Sequence, residues 1–296
     1  MRFCAEENID DKREKLVKTH FVKRLAPLFD FYVDDAFATA HRSQPSIAGL
    51  PELLPSAAGR LMEKELDAVS TLLEEPKRPC VYSLGGSKVE DKIPVIENIL
   101  SRGKADKVLL GGVPAKLFLQ AREVTTKINV EEIRDFKQFL DRAKTLTQKY
   151  REHIEVPLDL AYEDKQGKRI DQTVTSTRID EEEALDIGSK TLEKYSKIVR
   201  GAATTVANGP LGVFERNGFD KGTKKLLESM AESNGYTVIG GGHLVGLASI
   251  QGIEDRFSHV STAGGAMLSL LSGQSLPGVD ALVRAAMRLR TANPAA

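Results

Sequence analysis

Cys80-Val-Tyr-Ser-Leu-Gly-Gly-Ser-Lys-Val-Glu-Asp-Lys-Ile93 is the stretch from which the fold is read. A short apolar run with β-branched and aromatic residues stops at a double glycine. The charged, helix-permissive segment behind it continues with Val95, Ile96, Ile99 and Leu100. That pattern predicts strand, turn and helix, the helix lying near 92–101 and closed by Gly103. Gly85 and Gly86 leave room for backbone amides to approach a ligand where a Cβ would obstruct, and a helix starting behind them aims partial positive charge at the same place. An anion site is the expectation. Lys88 and Lys92 are four apart, so on a helix they share a face and can hold two oxygens of a phosphate chain. The spacing is not a Walker A loop, because Gly-x-x-x-x-Gly-Lys-Ser/Thr is absent. Taken alone, the two lysines read equally well as a solvated pair.

On either side of this stretch the same alternation continues. Downstream come a strand at 107–110, Gly111-Gly112, a helix near 114–121 and a charged helix near 130–150. Ile154 to Ala161 and the polar residues to Thr177 read as a strand with an antiparallel excursion. Asp186 opens a helix to about Val199, and Thr204-Thr-Val-Ala is a strand ending in Asn208-Gly-Pro-Leu-Gly-Val-Phe-Glu215. A helix from Lys221, a strand Tyr236-Thr-Val-Ile ending in Gly240-Gly-Gly-His243, and His259-Val-Ser-Thr-Ala-Gly-Gly265 close the set. Upstream, Met1-Arg-Phe-Cys4 resembles a scrap of strand, 11–28 a helix, Phe31-Tyr-Val33 a strand, and the residues after Ser56-Ala-Ala-Gly-Arg60 a long helix to about Glu75. Strands alternating with helices imply βαβ units and a mostly parallel sheet. The glycine turns at 85–86, 111–112, 208–210 and 240–242 each follow a strand. In a parallel sheet they lie along one edge and converge on one crevice, which points to a nucleotide site.

Composition bounds the function classes. With 296 residues, 41% apolar and 28% charged, the chain is globular and long enough for one large or two ordinary domains. Its net charge is zero and its basic residues form no extended block, so the electrostatic footprint of a nucleic-acid binder is absent. Cys4 and Cys80 have no metal-binding spacing, and no apolar run reaches the length of a signal peptide or membrane span. A cytoplasmic protein is expected. His259 in its apolar strand reads as a core histidine, and the acidic run Asp180-Glu-Glu-Glu183 as a solvated helix start.

The runs Asp35-Ala-Phe-Ala-Thr-Ala-His-Arg42, Leu61-Met-Glu-Lys-Glu-Leu66, Gly85-Gly-Ser-Lys-Val-Glu-Asp-Lys-Ile-Pro94, Asn208 to Glu215, Gly240-Gly-Gly and Ser258-His-Val-Ser-Thr262 resemble phosphoglycerate kinase. They occur in the family's order and cover essentially the whole chain. His41-Arg-Ser-Gln-Pro-Ser46 and Gly242-His243 are similar to the archaeal branch. The resemblance implies an α/β protein of two Rossmann-like parallel-sheet domains joined by a helix. It divides the chain into residues 1–57, from the 3-phosphoglycerate-binding domain; 58–75, the connecting helix; and 76–296, the nucleotide-binding domain, its last helix packing back on the first domain. It implies ATP or ADP with Mg²⁺, and 3-phosphoglycerate or 1,3-bisphosphoglycerate. Lys88, Arg42, Gly242 and Gly264 would form the catalytic group, with Lys88 at the transferring phosphoryl and Lys92 at the α-phosphate. Gly85, Gly86, Gly111 and Gly112 would border the nucleotide, and Asn208 and Pro210 would shape its pocket. Glu215 would accept from the ribose, and Gly240, Gly241, Gly242 and His243 would face the phosphate chain. Arg42, His41 and Arg60 would receive the phosphoglycerate.

Departures from the family pattern set further expectations. The Asp-x-Asn strand end and His-x-Gly-Arg loop of the family's first domain are absent, and Met1-Arg-Phe matches the family in the middle of that domain. The resemblance therefore leaves two or three βαβ units, roughly 60–90 residues, without counterpart. On that ground the N-terminal domain is incomplete, the remaining part of it is the unstable one, and turnover by these 296 residues alone is weak. The alternative function is a nucleotide-binding module that needs an N-terminal piece in trans. His243 stands where many members carry a metal-binding aspartate, which leaves the metal ligand unassigned. Ala263 replaces a glycine of Ser-Thr-Gly-Gly-Gly, and Ser56 a substrate arginine, with Arg60 as its replacement.

Overall fold

The helix expected over 11–28 is broken in two, and the break has a local cause. This computed structural model describes residues 1, 3–124, 133–174 and 183–292. α1 (Arg13–Leu16) and α2 (His20–Leu25) meet at Thr19, whose hydroxyl donates to the Leu16 carbonyl (2.7 Å) and accepts from the Val22 amide (3.3 Å). One side chain thus ends the first helix and caps the second. The Glu6 carboxylate accepts from the amides of His20 and Phe21 at 3.1 and 2.6 Å. It reaches them from a 3-10 turn at Ala5–Asn8, and Phe3 and Cys4 lie in a turn where a strand was expected.

β1 (Tyr32–Asp34) pairs in parallel with β2 (Ser56–Ala58), Tyr32 opposite Ser56. The second strand has no sequence signal, being three small residues with neither alternation nor β-branching. α3 (Arg60–Glu74) follows at once. Its cap comes from the end of β1: Asp35 Oδ1 accepts from the amides of Leu61 and Met62 at 2.7 and 3.0 Å. Gly59 is the residue that lets this carboxylate in, since a Cβ there would stand 2.3 Å from Asp35 Oδ1.

The chain divides into two compact units, Met1–Ser70 with Thr262–Ala296, and Thr71–Ser261. The second unit is built on β3 (Cys80–Leu84), α4 (Val89–Ser101), β4 (Lys107–Leu110), α5 (Gly112–Ala121), α6 (Phe136–Lys149) and β5 (Ile154–Glu155). β6 (Asp159–Glu163), β7 (Arg169–Thr173), β8 (Asp186–Ile187), α7 (Ser189–Arg200) and β9 (Thr204–Asn208) continue it. α8 (Lys221–Ala231), β10 (Tyr236–Gly240), α9 (Gly242–Ile250) and β11 (His259–Ser261) complete it. Six strands form one sheet in the order β11-β10-β9-β3-β4-β5, and every pairing in it is parallel. The expected parallel sheet is present. β3, in the middle, is buried along its whole length, as a strand covered on both faces must be.

Against one face Val81, Leu109, Ala207 and Ile239 pack with Tyr195 and Val199 of α7, Leu226 and Met230 of α8, and Leu244 and Leu247 of α9. Each valine, leucine, isoleucine or methionine buried there contributes roughly 1.5–3 kcal/mol. The Tyr195 hydroxyl sits between the carbonyls of Leu110 and Glu155, at 3.0 and 2.9 Å. β6, β7 and β8 form a separate antiparallel sheet in the order β7-β6-β8. The helix expected from Asp186 therefore starts at Ser189, because Asp186 and Ile187 are spent on β8. Asp159 caps it, accepting from the amides of Lys190 and Thr191 at 3.0 and 2.8 Å. Of the acidic run 180–183, only Glu183 falls among the described residues. His259 is buried in β11.

After β11 the chain returns to the first unit with α10 (Gly264–Leu271) and α11 (Pro277–Ala292). α11 buries Ala281, Leu282 and Ala285. Arg284 and Arg288 meet the Glu52 carboxylate at 2.7 and 3.2 Å. One face of β1 and the residues before it stays bare: Phe29, Phe31 and Val33 are 55%, 52% and 56% exposed.

Candidate functional site

At the C-terminal ends of β3, β4 and β9 the glycine turns lock into one another. The Gly85 amide donates to the Asn208 carbonyl (3.0 Å) and the Gly86 amide to Pro210 (2.7 Å). The Gly111 amide donates to Leu84 (3.1 Å) and the Gly112 amide to Leu211 (2.9 Å). These four amides are committed to backbone carbonyls, which corrects the expectation that Gly85 and Gly86 turn theirs to a ligand. The glycines serve close approach instead. A Cβ on Gly112, at φ +56, would stand 2.5 Å from the Gly86 carbonyl oxygen, and one on Gly209, at φ +82, 2.4 Å from that of Gly85.

The two lysines have different surroundings. α4 begins at Val89, three residues earlier than its charge pattern suggests, so Lys88 is the N-cap residue and exposed, while Lys92 lies one turn inside and is 5% exposed. Lys92 donates to Asn208 Oδ1 at 2.6 Å, and Asn208 Nδ2 donates to the Gly240 carbonyl at 3.1 Å. The network joins α4 to the ends of β9 and β10. Lost hydration pulls the Lys92 ammonium down to about 8, opposed by Asp91 and reinforced by Lys88.

A cleft of about 240 Å³ opens beside these turns. Gly86, Gly112, Lys116, Glu183, Asp186, Pro210, Glu215 and His243 line it, together with apolar Val113, Leu160, Leu185, Leu211 and Phe214. Glu215 is exposed at its rim. Asp186 is buried and accepts from Arg169 (2.9 Å) and the Gly222 amide (2.9 Å). Burial nevertheless raises its carboxyl above the ordinary range, with Arg169 opposing. Such a cleft, apolar with a few convergent polar groups, suits a small ligand with an apolar body.

α9 starts at its edge. Gly241 caps the helix at φ +95, and Gly242 has nothing within 4 Å of the place a Cβ would take. The first amides of α9 have no acceptor within the helix, so its N-terminus faces open space. His243 is exposed and tilts against the Phe214 ring at 5.1 Å between centroids. Among the described residues no group of three or more His, Cys, Asp or Glu could hold a metal ion.

The other residues expected at the site from the sequence lie in the first unit. Arg42 is half-buried, and among the described residues its side chain enters no ion pair; the His41 ring passes 3.5 Å from the position a Cβ on Gly265 would occupy, at the start of α10, next to Gly264. Glu65 of α3, fully buried, accepts from the Thr262 amide and hydroxyl, both at 2.6 Å, and so fixes the approach to α10. Arg60 is surface-exposed and paired with Glu63 at 3.2 Å. Reading the sequence missed Lys116, Glu183, Asp186 and Phe214. A lone lysine in the apolar run Val113-Pro-Ala-Lys-Leu-Phe-Leu119 was the one signal available.

The family model described as phosphoglycerate kinase matches residues 1–274. The phosphoglycerate kinase of Methanothermus fervidus is 42% identical over 291 residues, 97% of this chain and 70% of that protein. That of Methanothermobacter thermautotrophicus is 45% identical over 285 residues, 95% of this chain and 69% of the other. The crystal structure of phosphoglycerate kinase from Pyrococcus horikoshii superposes with a TM-score of 0.88 at 39% identity, covering 97% of this chain and 72% of that one. The Coxiella burnetii enzyme gives 0.80 at 35%, covering 93% and 72%. With the archaeal motifs in order and the fold matched across nearly its full length, the chain belongs to the phosphoglycerate kinase family.

Proposed function

We propose that the cleft beside α4 and α5 is the nucleotide site at which this phosphoglycerate kinase moves a phosphoryl group between 1,3-bisphosphoglycerate and ADP, giving 3-phosphoglycerate and ATP. The observation that carries the reading is the Lys92–Asn208–Gly240 network. It holds a buried cation beside the ends of β9 and β10, and Pro210, two residues beyond Asn208, lines the cleft. In this reading the base enters between Val113 and Phe214, and the ribose hydroxyls donate to Glu215 at the rim. The phosphate chain runs along Lys92 to the N-terminus of α9 at Gly242. Lys88, exposed at the start of α4, reaches the transferring group.

In the ATP-forming direction a β-phosphate oxygen of ADP bonds to the acyl phosphorus. The bond from that phosphorus to the carboxyl oxygen breaks, and its electron pair leaves with the carboxylate. No proton need move, so positioning and charge neutralisation carry the rate. The lysines and the start of α9 supply positive charge where negative charge is transferred. Arg42 and His41 receive the phosphoglycerate; Arg60, already paired with Glu63, suits that role less. Mg²⁺ enters with the nucleotide as its phosphate complex, the way this ion is commonly held. A cytoplasmic location belongs to this reading; the described residues include no helix long and apolar enough to cross a membrane.

Titration with MgADP by calorimetry tests the site. Saturable heat is expected, and a Lys92→Ala variant binds more weakly by about 1.5–3 kcal/mol. No heat from folded protein at millimolar nucleotide would overturn the assignment.

A further inference from the structure

α5 turns an apolar side to the core, and Lys116 interrupts it. Ala115, Leu117, Phe118 and Leu119 around it are buried, and Lys116 itself is 5% exposed. Its ammonium donates to the Glu183 carboxylate at 2.8 Å, and the Glu183 side chain is half-exposed. Lost hydration pulls the Lys116 ammonium below its ordinary value, with Glu183 opposing. Packing gives no reason for this arrangement, because apolar residues of similar volume commonly stabilise a buried position as well as an ion pair does. Both side chains line the cleft, whose other walls include Val113, Leu160, Leu185 and Phe214.

Resting on the reading of this cleft as the nucleotide site, we propose that the Lys116–Glu183 pair reads the purine base. Glu183 accepts from the exocyclic 6-amino group of adenine, and Lys116 donates to the neighbouring ring nitrogen. Lys116 lies four residues beyond Gly112 on the same face of α5, about 6 Å along the helix from the strand edge. That is the direction in which a base extends when its phosphates stay at the edge. The pair offers one donor beside one acceptor, and an adenine edge offers a ring-nitrogen acceptor beside an amino donor. A site that bonds a substrate N–H disfavours the analogue that lacks it, because the acceptor then loses that charge-assisted contact.

The probe is purine riboside 5′-diphosphate, which keeps the ring, ribose and phosphates of ADP and lacks the 6-amino group. Its Mg²⁺ complex and MgADP are titrated by calorimetry into the whole chain and into Glu183→Ala, Glu183→Gln and Lys116→Met variants, each checked by thermal melting. Wild type is expected to prefer ADP by about ten- to a hundredfold. Glu183→Ala closes that gap to about twofold by weakening ADP alone, and Glu183→Gln, which keeps an acceptor, retains part of it. Lys116→Met weakens both nucleotides and melts no lower than wild type. Equal affinities in wild type, or an undiminished gap in folded Glu183→Ala, overturn the base-reading role and leave the nucleotide site standing. Failure of wild type to bind either nucleotide removes both.

Discussion

Lys92 and Asn208, 116 residues apart in sequence, meet through a 2.6 Å hydrogen bond from the ammonium to Oδ1. Because Asn208 Nδ2 is already committed to the Gly240 carbonyl, the amide can turn only its oxygen to the lysine. The cation is thereby held where an anion arriving at the strand ends would meet it.

A pH dependence follows. The Lys92 ammonium falls from an ordinary 10.5 to about 8 in the fold. Between those values the unfolded chain carries a proton that the folded chain lacks, so stability rises with pH across the window, and below about pH 8 the fold carries a cost of roughly 3 kcal/mol. A bound phosphate restores the proton. MgADP binding should therefore take up about half a proton at pH 8 and close to one at pH 9, read from calorimetry in buffers of different ionisation enthalpy, and Lys92→Met should abolish the uptake.

The glycines divide into two kinds that one substitution separates. Gly112→Ala forces a left-handed conformation costing about 1–2 kcal/mol before the clash with the Gly86 carbonyl is counted. Its melting temperature should fall by several degrees. Gly242→Ala meets open space, so it should melt like wild type while binding MgADP less tightly. Equal melting of the two variants would contradict the backbone interlock.

Asp35 is an N-cap placed at a distance. Asp35→Ala leaves the amides of Leu61 and Met62 without their acceptor and should destabilise the first unit by about 1 kcal/mol, within 0.5–2. Asp35→Asn should recover most of the loss, as denaturant midpoints would show.

The first unit should exchange its amides faster than the second. Its sheet is two strands of three residues, and Phe29, Phe31 and Val33 stand in solvent. Hydrogen exchange over residues 1–57 should be complete while amides of β3 and β9 remain protected. A Phe31→Ser, Val33→Thr double variant should lose less than about 0.5 kcal/mol per site and scatter less light in concentrated solution.

Much of the second unit was legible because its signals are local. Apolar runs of four or five residues ending in glycine specify β3, β4, β9 and β10. Their parallel pairing follows from the helices between them, and with it the meeting of the glycine turns at one edge. Lys92 and Asn208 of the proposed site were legible through family motifs, and their types suited an anion. Tertiary structure alone decided what those residues do to one another. Four of the glycine amides face carbonyls because three turns must pack within backbone contact. Lys92 loses its hydration, which Lys88 keeps, because α4 starts at Val89 and turns one lysine inward. The same holds in the first unit, where Thr19 splits a helix and Asp35 caps one across 26 residues. Lys116 is the extreme case: sequence shows one charge in an apolar helix, and only the fold brings Glu183 to it, since a hydrogen bond between residues 67 apart leaves no period in the chain.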